Sequence, residues 1–140
     1  MARPRTSCIV GVMQALGRHL LCEYHGCDRE LLDRVEFIRT ELLAAVTLAG
    51  ATPVQEVVHH FSPHGVTGVV VIAESHFSIH TWPEYEFAAV DLFTCGDTVD
   101  PWAAFAHLEK VLRARTHSVV ELRRGLIPTR PGESLPHKPA

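Results

Sequence analysis

From Leu31 the apolar residues Val35, Ile38, Leu42 and Val46 recur every three or four positions, and Gly50 stops the pattern. With Asp28 as N-cap, the spacing predicts an amphipathic helix from Asp28 to Ala49. The period then drops to about two through PVQEVVHHF, GVTGVVVIAE, SHFSIHTW and FAAVDLFTC, segments rich in β-branched and aromatic residues that predict four successive strands. Asp100-Pro101 supplies an N-cap and a first-turn proline for a second helix to about Arg115, with Trp102, Phe105, Leu108 and Leu112 on its apolar face. GRHLLCEYH at 17–25 and HSVVELRRG at 117–125 predict a first and a last strand.

Two helices and consecutive strands predict an α+β fold: a two-layer α/β sandwich, a mainly antiparallel sheet with both helices on one face. The run VVVI at 69–72 is apolar on both sides, and FAAVDLF has only Asp91 as a charged interruption. Both strands therefore read as covered twice, which the chain's helices cannot achieve alone. The expectation is a homodimer with paired sheets.

At 140 residues and 46% hydrophobic content, the sequence suits a single domain over 16–125. Residues 1–15 read as an N-terminal extension, its basic start and short apolar run too brief to span a bilayer, with Met13 as an alternative start. Residues 126–140, rich in proline, read as a loosely ordered tail. A net charge of -3 with scattered Lys and Arg argues against nucleic-acid partners, and no segment argues for a membrane. Cys8, Cys22, Cys27 and Cys95 are too sparse for a disulfide scaffold, which predicts free thiols and a cytoplasmic protein.

The chemistry concentrates in AESHFSIHTWP at 73–83. Ser75 stands between Glu74 and His76 without the flanking glycines of a nucleophile elbow, so the hydrolase signal is weak. His59, His60, His64, His76 and His80 lack a recognisable ligand spacing, and no metal is expected.

The longer stretch ESHFSIHTWPEYEFAAVDLFTCGDTVDPW closely resembles the prokaryotic S-adenosylmethionine decarboxylase proenzyme family. GRHLLCEYHGCDRELLD and HHFSPHGVTGVVVI resemble the segments that precede it there, so several motifs agree in order over about residues 16–115. The resemblance implies self-cleavage between Glu74 and Ser75, giving a β chain of 1–74 and an α chain of 75–140 that begins with a pyruvoyl group formed from Ser75. In that chemistry the Ser75 hydroxyl attacks the Glu74 carbonyl. A base then removes the α-proton of residue 75, Glu74 leaves as a carboxylate, and the remaining dehydroalanine hydrolyses to pyruvoyl and ammonia.

His80 matches the family's processing base, a task suited to a group that exchanges protons near neutral pH. Thr67 stands where the family uses a hydroxyl to polarise the scissile region. Cys95, within FTCG, matches the proton donor of decarboxylation. The pyruvoyl ketone would condense with the substrate amine and receive the electrons left by departing carbon dioxide.

For S-adenosylmethionine, Phe61 and Phe77 are candidates to stack on adenine and face the sulfonium. Glu84 matches the residue that accepts hydrogen bonds from the ribose, and Trp82 fixes the strand end before it. Phe77 and Glu86 depart from the family's usual leucine and glycine. Some relatives decarboxylate arginine or ornithine, and Glu86 is the residue that could offer such substrates an extra carboxylate. The resemblance implies a cleaved homodimer with sites at its interface, making the aminopropyl donor for spermidine synthesis.

Overall fold

A computed structural model describes residues 11–135. Six strands form one sheet: β1 (Val12–His25), β2 (Pro53–His60), β3 (Val66–Ile72), β4 (Ser75–Trp82), β5 (Phe87–Cys95) and β6 (Thr116–Thr129). Their order across the sheet is β2-β3-β4-β5-β1-β6, and every neighbouring pair is antiparallel. The helices are α1 (Arg29–Leu32), α2 (Val35–Leu48) and α3 (Pro101–Val111), and a 3-10 turn at Pro83–Tyr85 joins β4 to β5.

The α+β sandwich agrees with the sequence pattern, with three adjustments. The helix expected from Asp28 to Ala49 is broken at Asp33-Arg34, where Arg34 is extended (ψ 101°). Asp33 Oδ1 there accepts the Gly65 N–H at 2.8 Å and contacts His60 Nε2 at 2.8 Å, so a tertiary anchor ends α1 after one turn. The supposed extension over 1–15 is in part sheet, because β1 starts at Val12 and Gln14 Nε2 donates to Thr129 Oγ1 at 2.9 Å. The supposed tail over 126–140 likewise contributes residues 126–129 to β6. Residues 1–10 and 136–140, with Cys8, lie outside the described residues.

One sheet face packs against the helices. Leu20, Cys22 and Tyr24 of β1, Phe77 and Ile79 of β4, and Ala88, Val90 and Leu92 of β5 meet Ile38, Leu42, Val46, Phe105 and Leu108. Tyr24 keeps its hydroxyl satisfied by donating to the Phe105 carbonyl at 2.8 Å. Burial pushes the Cys22 and Cys27 thiols up to about 11, and both are free.

No described element covers the other face. Along it lie Val57, Val71, Trp82, Val120 and Leu122, between 39% and 61% exposed, so apolar side chains from four strands share an open surface.

Candidate active site

The β3–β4 connection is as short as a hairpin allows. Ile72 pairs with Ser75, leaving Ala73 and Glu74 as a two-residue turn. Such turns usually place left-handed residues, often glycine, at their centre. Here the unusual torsion falls on Ser75, whose φ of 155° is a conformation that L-residues rarely adopt.

Thr52 braces the turn. Its carbonyl accepts the Ala73 N–H at 2.8 Å, its own N–H donates to Glu74 Oε2 at 3.1 Å, and its hydroxyl donates to Glu74 Oε1 at 3.3 Å. The Glu74 carbonyl accepts the Cys95 N–H at 2.9 Å. The carbonyl just before the Ser75 hydroxyl is thus polarised by a fixed donor, and the backbone torsion that follows it at Ser75 is strained.

Cys95 ends β5 on the open face, half-buried, with Gly17 of β1 opposite. A Cβ on Gly17 would stand 2.7 Å from the Thr94 carbonyl and 3.2 Å from Cys95 Sγ, so only glycine leaves the thiol its place. Beyond Gly17 and Gly96, a cavity of about 640 Å³ is lined also by Arg18, Asp97 and Glu121, without Cys95 in its wall.

At the other end of β4, Thr67 Oγ1 and His80 Nδ1 share a hydrogen bond of 2.9 Å on the open face. The His80 ring lies 6.4 Å from Trp82, which packs 5.5 Å from Phe87. Phe61 is half-exposed and meets His59 edge-on at 4.6 Å. Glu84 pairs with His64 Nε2 at 3.0 Å beside a cavity of about 470 Å³.

The expected site residues therefore fall into two groups. Glu74, Ser75 and Cys95 gather at one end of the sheet, with Cys95 on the open face and Ser75 in register with the buried Thr94; Thr67, His80, Trp82, Phe61 and Glu84 gather towards the other end. At about 3.3 Å per residue, five positions along β4 separate Ser75 from His80 by about 16 Å within one chain.

Two expected substrate contacts are displaced. Phe77 is fully buried on the helix-covered face, 6.4 Å from Phe105, because alternation along β4 turns it away from His76 and Ser78. It is a core residue and no stacking wall. Glu86 holds a left-handed conformation (φ 52°) that glycine adopts at least cost, and its carboxylate is engaged by Arg29 at 3.1 Å and Arg115 at 3.9 Å.

Sequence spacing missed a polar cluster on the open face. His19 and His76 each approach Asp91 Oδ2, at 2.6 and 2.7 Å, and Ser78 donates to Asp91 Oδ1. Burial raises the Asp91 carboxyl, but the bonds from Ser78, His19 and His76 outweigh it and hold the group below the ordinary carboxylate range. The His19, His76 and Asp91 donor atoms lie within 4.8 Å of one another, close enough to ligate one ion. Arg124, however, sits 3.2 Å from His19 Nδ1 and holds the ring with its other nitrogen protonated towards Asp91, so a hydrogen-bonded network accounts for the group. The only sequence signal was Asp91 as the one charge in FAAVDLF.

Residues 18–125 match the family model described as S-adenosylmethionine decarboxylase. The chain belongs to that family. The S-adenosylmethionine decarboxylase proenzyme of Thermotoga maritima is 54% identical over 133 residues, covering 91% of this chain and 99% of the relative. The proenzyme of Thermosipho melanesiensis is 52% identical over 131 residues, covering 90% and 98%. Among solved structures, the adenosylmethionine decarboxylase of Aquifex aeolicus superposes with a TM-score of 0.77 at 39% identity, covering 88% of this chain and 99% of that one. As a member of the S-adenosylmethionine decarboxylase family, the chain has both the open sheet face and the strained Glu-Ser junction described above.

Proposed function

We propose that the chain is a self-processing proenzyme whose mature form decarboxylates S-adenosylmethionine to carbon dioxide and the decarboxylated aminopropyl donor of spermidine synthesis. The observation that carries this reading is the Glu74–Ser75 junction, with a strained residue 75 and the Cys95 N–H on the Glu74 carbonyl. The Ser75 hydroxyl attacks that carbonyl, and the developing oxyanion stays on the Cys95 N–H. The acyl group passes from nitrogen to oxygen, relieving the torsion at residue 75. A base then takes the α-proton of residue 75, and Glu74 departs as a carboxylate.

That base is His80, held by Thr67. A base works only within hydrogen-bond reach of its proton, about 3 Å, so the roughly 16 Å within one chain calls for His80 of a second copy. The half-exposed apolar side chains of the open face support a sheet-to-sheet homodimer, related by a two-fold axis that sets the Ser75 end of one copy against the His80 end of the other. Each site then takes Ser75 and Cys95 from one copy, and Thr67, His80, Phe61, Trp82 and Glu84 from its partner.

The residues at the junction fit a pyruvoyl group formed from Ser75, which would supply an electron sink for decarboxylation. Cys95, at the same end, delivers a proton to the substrate carbon that loses carbon dioxide. Phe61 and Trp82 offer aromatic faces for the adenine and the sulfonium. Glu84 accepts hydrogen bonds from the ribose hydroxyls. The arginine or ornithine alternative draws no support, because Glu86 is already neutralised by Arg29 and Arg115. We assign the enzyme to the cytoplasm, a reading the free Cys22, Cys27 and Cys95 thiols suit. No described helix is long and apolar enough to cross a membrane.

Intact-mass measurement of the purified protein tests the first step. Two chains, the larger break product ending at Glu74 and the other starting with a blocked residue 75, are expected; one uncut chain refutes the reading. Carbon dioxide release is then compared on S-adenosylmethionine, arginine and ornithine, with the first as the expected substrate.

A further inference from the structure

Thr94 is fully buried, and its hydroxyl makes no hydrogen bond. Among the described residues the other buried side-chain atom without a partner is Arg39 Nε, whose guanidinium is still engaged through Nη1 by Glu56 at 2.7 Å. Thr94 has no second polar atom. Valine would fill the same volume in a strand without leaving a desolvated donor, so the hydroxyl is a cost that needs a reason.

Its position suggests one. Thr94 lies directly opposite Ser75 in the β4–β5 register, and the next residue, Cys95, donates its N–H to the Glu74 carbonyl. These two residues of β5 therefore bracket the bond to be cut. Arg18, opposite Thr94 on β1, is turned to Glu121 at 2.7 Å and supplies no partner. In the uncut chain residue 75 brings an N–H donor and a hydroxyl that can donate or accept, and neither meets the Thr94 hydroxyl. Conversion to pyruvoyl removes both and adds a carbonyl oxygen, an acceptor.

We propose that Thr94 is a positioning residue for the group made from Ser75: its hydroxyl, idle in the proenzyme, donates to a carbonyl oxygen that residue 75 acquires on processing. This rests on the pyruvoyl reading above. The hydroxyl fixes the orientation of the new group against the strand and so presents its ketone to an incoming amine. Threonine at 94 is thus matched to the product of cleavage and not to its precursor.

The test compares Thr94→Val and Thr94→Ser in two backgrounds, the uncleavable Ser75→Ala chain and the processed enzyme. In the Ser75→Ala chain, Thr94→Val is expected to leave Tm unchanged or raise it, because it removes an unpaired donor. In the processed enzyme it is expected to lower Tm and to slow hydrazone formation with phenylhydrazine, followed by absorbance, about fivefold to tenfold, the scale of one lost hydrogen bond. Thr94→Ser is expected to restore both. A hydroxyl satisfied by a buried water would shift Tm alike in the two backgrounds, which overturns the proposal, as does an unchanged hydrazone rate. If Thr94→Val blocks cleavage, the residue acts before the bond opens and the proposal is likewise overturned. A wild-type chain that never cuts refutes the pyruvoyl reading itself, and the intact mass separates that failure from a failure of Thr94 alone.

Discussion

Co-expression of two inactive chains tests the shared site. Ser75→Ala keeps His80 but cannot be cut, and His80→Ala keeps Ser75 but lacks the base. If both groups had to come from one chain, mixing would rescue nothing. With a site built across a two-fold axis, each mixed dimer contains one complete pair, Ser75 of the His80→Ala chain and His80 of the Ser75→Ala chain. Equal expression with random pairing makes about half of the dimers mixed, so about one quarter of all chains should be cut. Tags of different mass on the two chains let intact-mass spectrometry assign the cut, which should fall only on the His80→Ala chain. Each variant expressed alone should remain uncut. An uncut mixture in which mixed dimers are nevertheless isolated would refute the reasoning, and so would efficient cleavage of His80→Ala by itself.

Two further outcomes follow from the charges on either side of the sheet. Because Asp91 is held below its ordinary pKa, its contribution to stability is present above about pH 3.9 and is lost as the pH falls through its folded value. Asp91→Asn should therefore lower Tm at neutral pH and flatten the acid limb of the Tm profile, while an unchanged limb would remove Asp91 from the account. Glu86→Gly trades an exposed ion pair with Arg29 for relief of a left-handed torsion. Its unfolding free energy should stay within about 1 kcal/mol of wild type, with turnover of S-adenosylmethionine unchanged, by urea denaturation and carbon dioxide release. A large loss of turnover would return Glu86 to the substrate site.

The elements most legible in the sequence were those with one wet and one dry side. Leu31, Val35, Ile38, Leu42 and Val46 marked the helical stripe, and strands β2 to β5 were read within a residue or two of their bounds. The two ends of the fold were harder, because neither the start of β1 nor the end of β6 carries an alternating pattern. The helix break at Asp33 depends on Gly65 and His60, partners about thirty residues away that no local window contains. Family resemblance pointed to Ser75, His80 and Cys95, and only the strand register shows how far apart they lie along the sheet. Phe77 could have been excluded earlier, since period two sets it opposite to His76 and Ser78. The Asp91 network draws on three strands and emerges only from their register.

The strand order has a consequence for the lifetime of the mature enzyme. The cleavage proposed after Glu74 would leave β1 on one piece, clamped between β5 and β6 of the other. While folded, the two pieces could not part without breaking three ladders, β1 with β5, β1 with β6 and β3 with β4. Once unfolded they are separate molecules, and re-forming the sheet becomes a second-order encounter instead of the collapse of one tethered chain. The uncut chain would re-form its sheet as one tethered molecule, whereas the cut one would recover from denaturation only as fast as its halves meet. Self-cleavage at that bond would thus make folding history-dependent: assembly would be complete before the cofactor existed, and afterwards damage to the fold would be repaired more readily by new synthesis than by refolding.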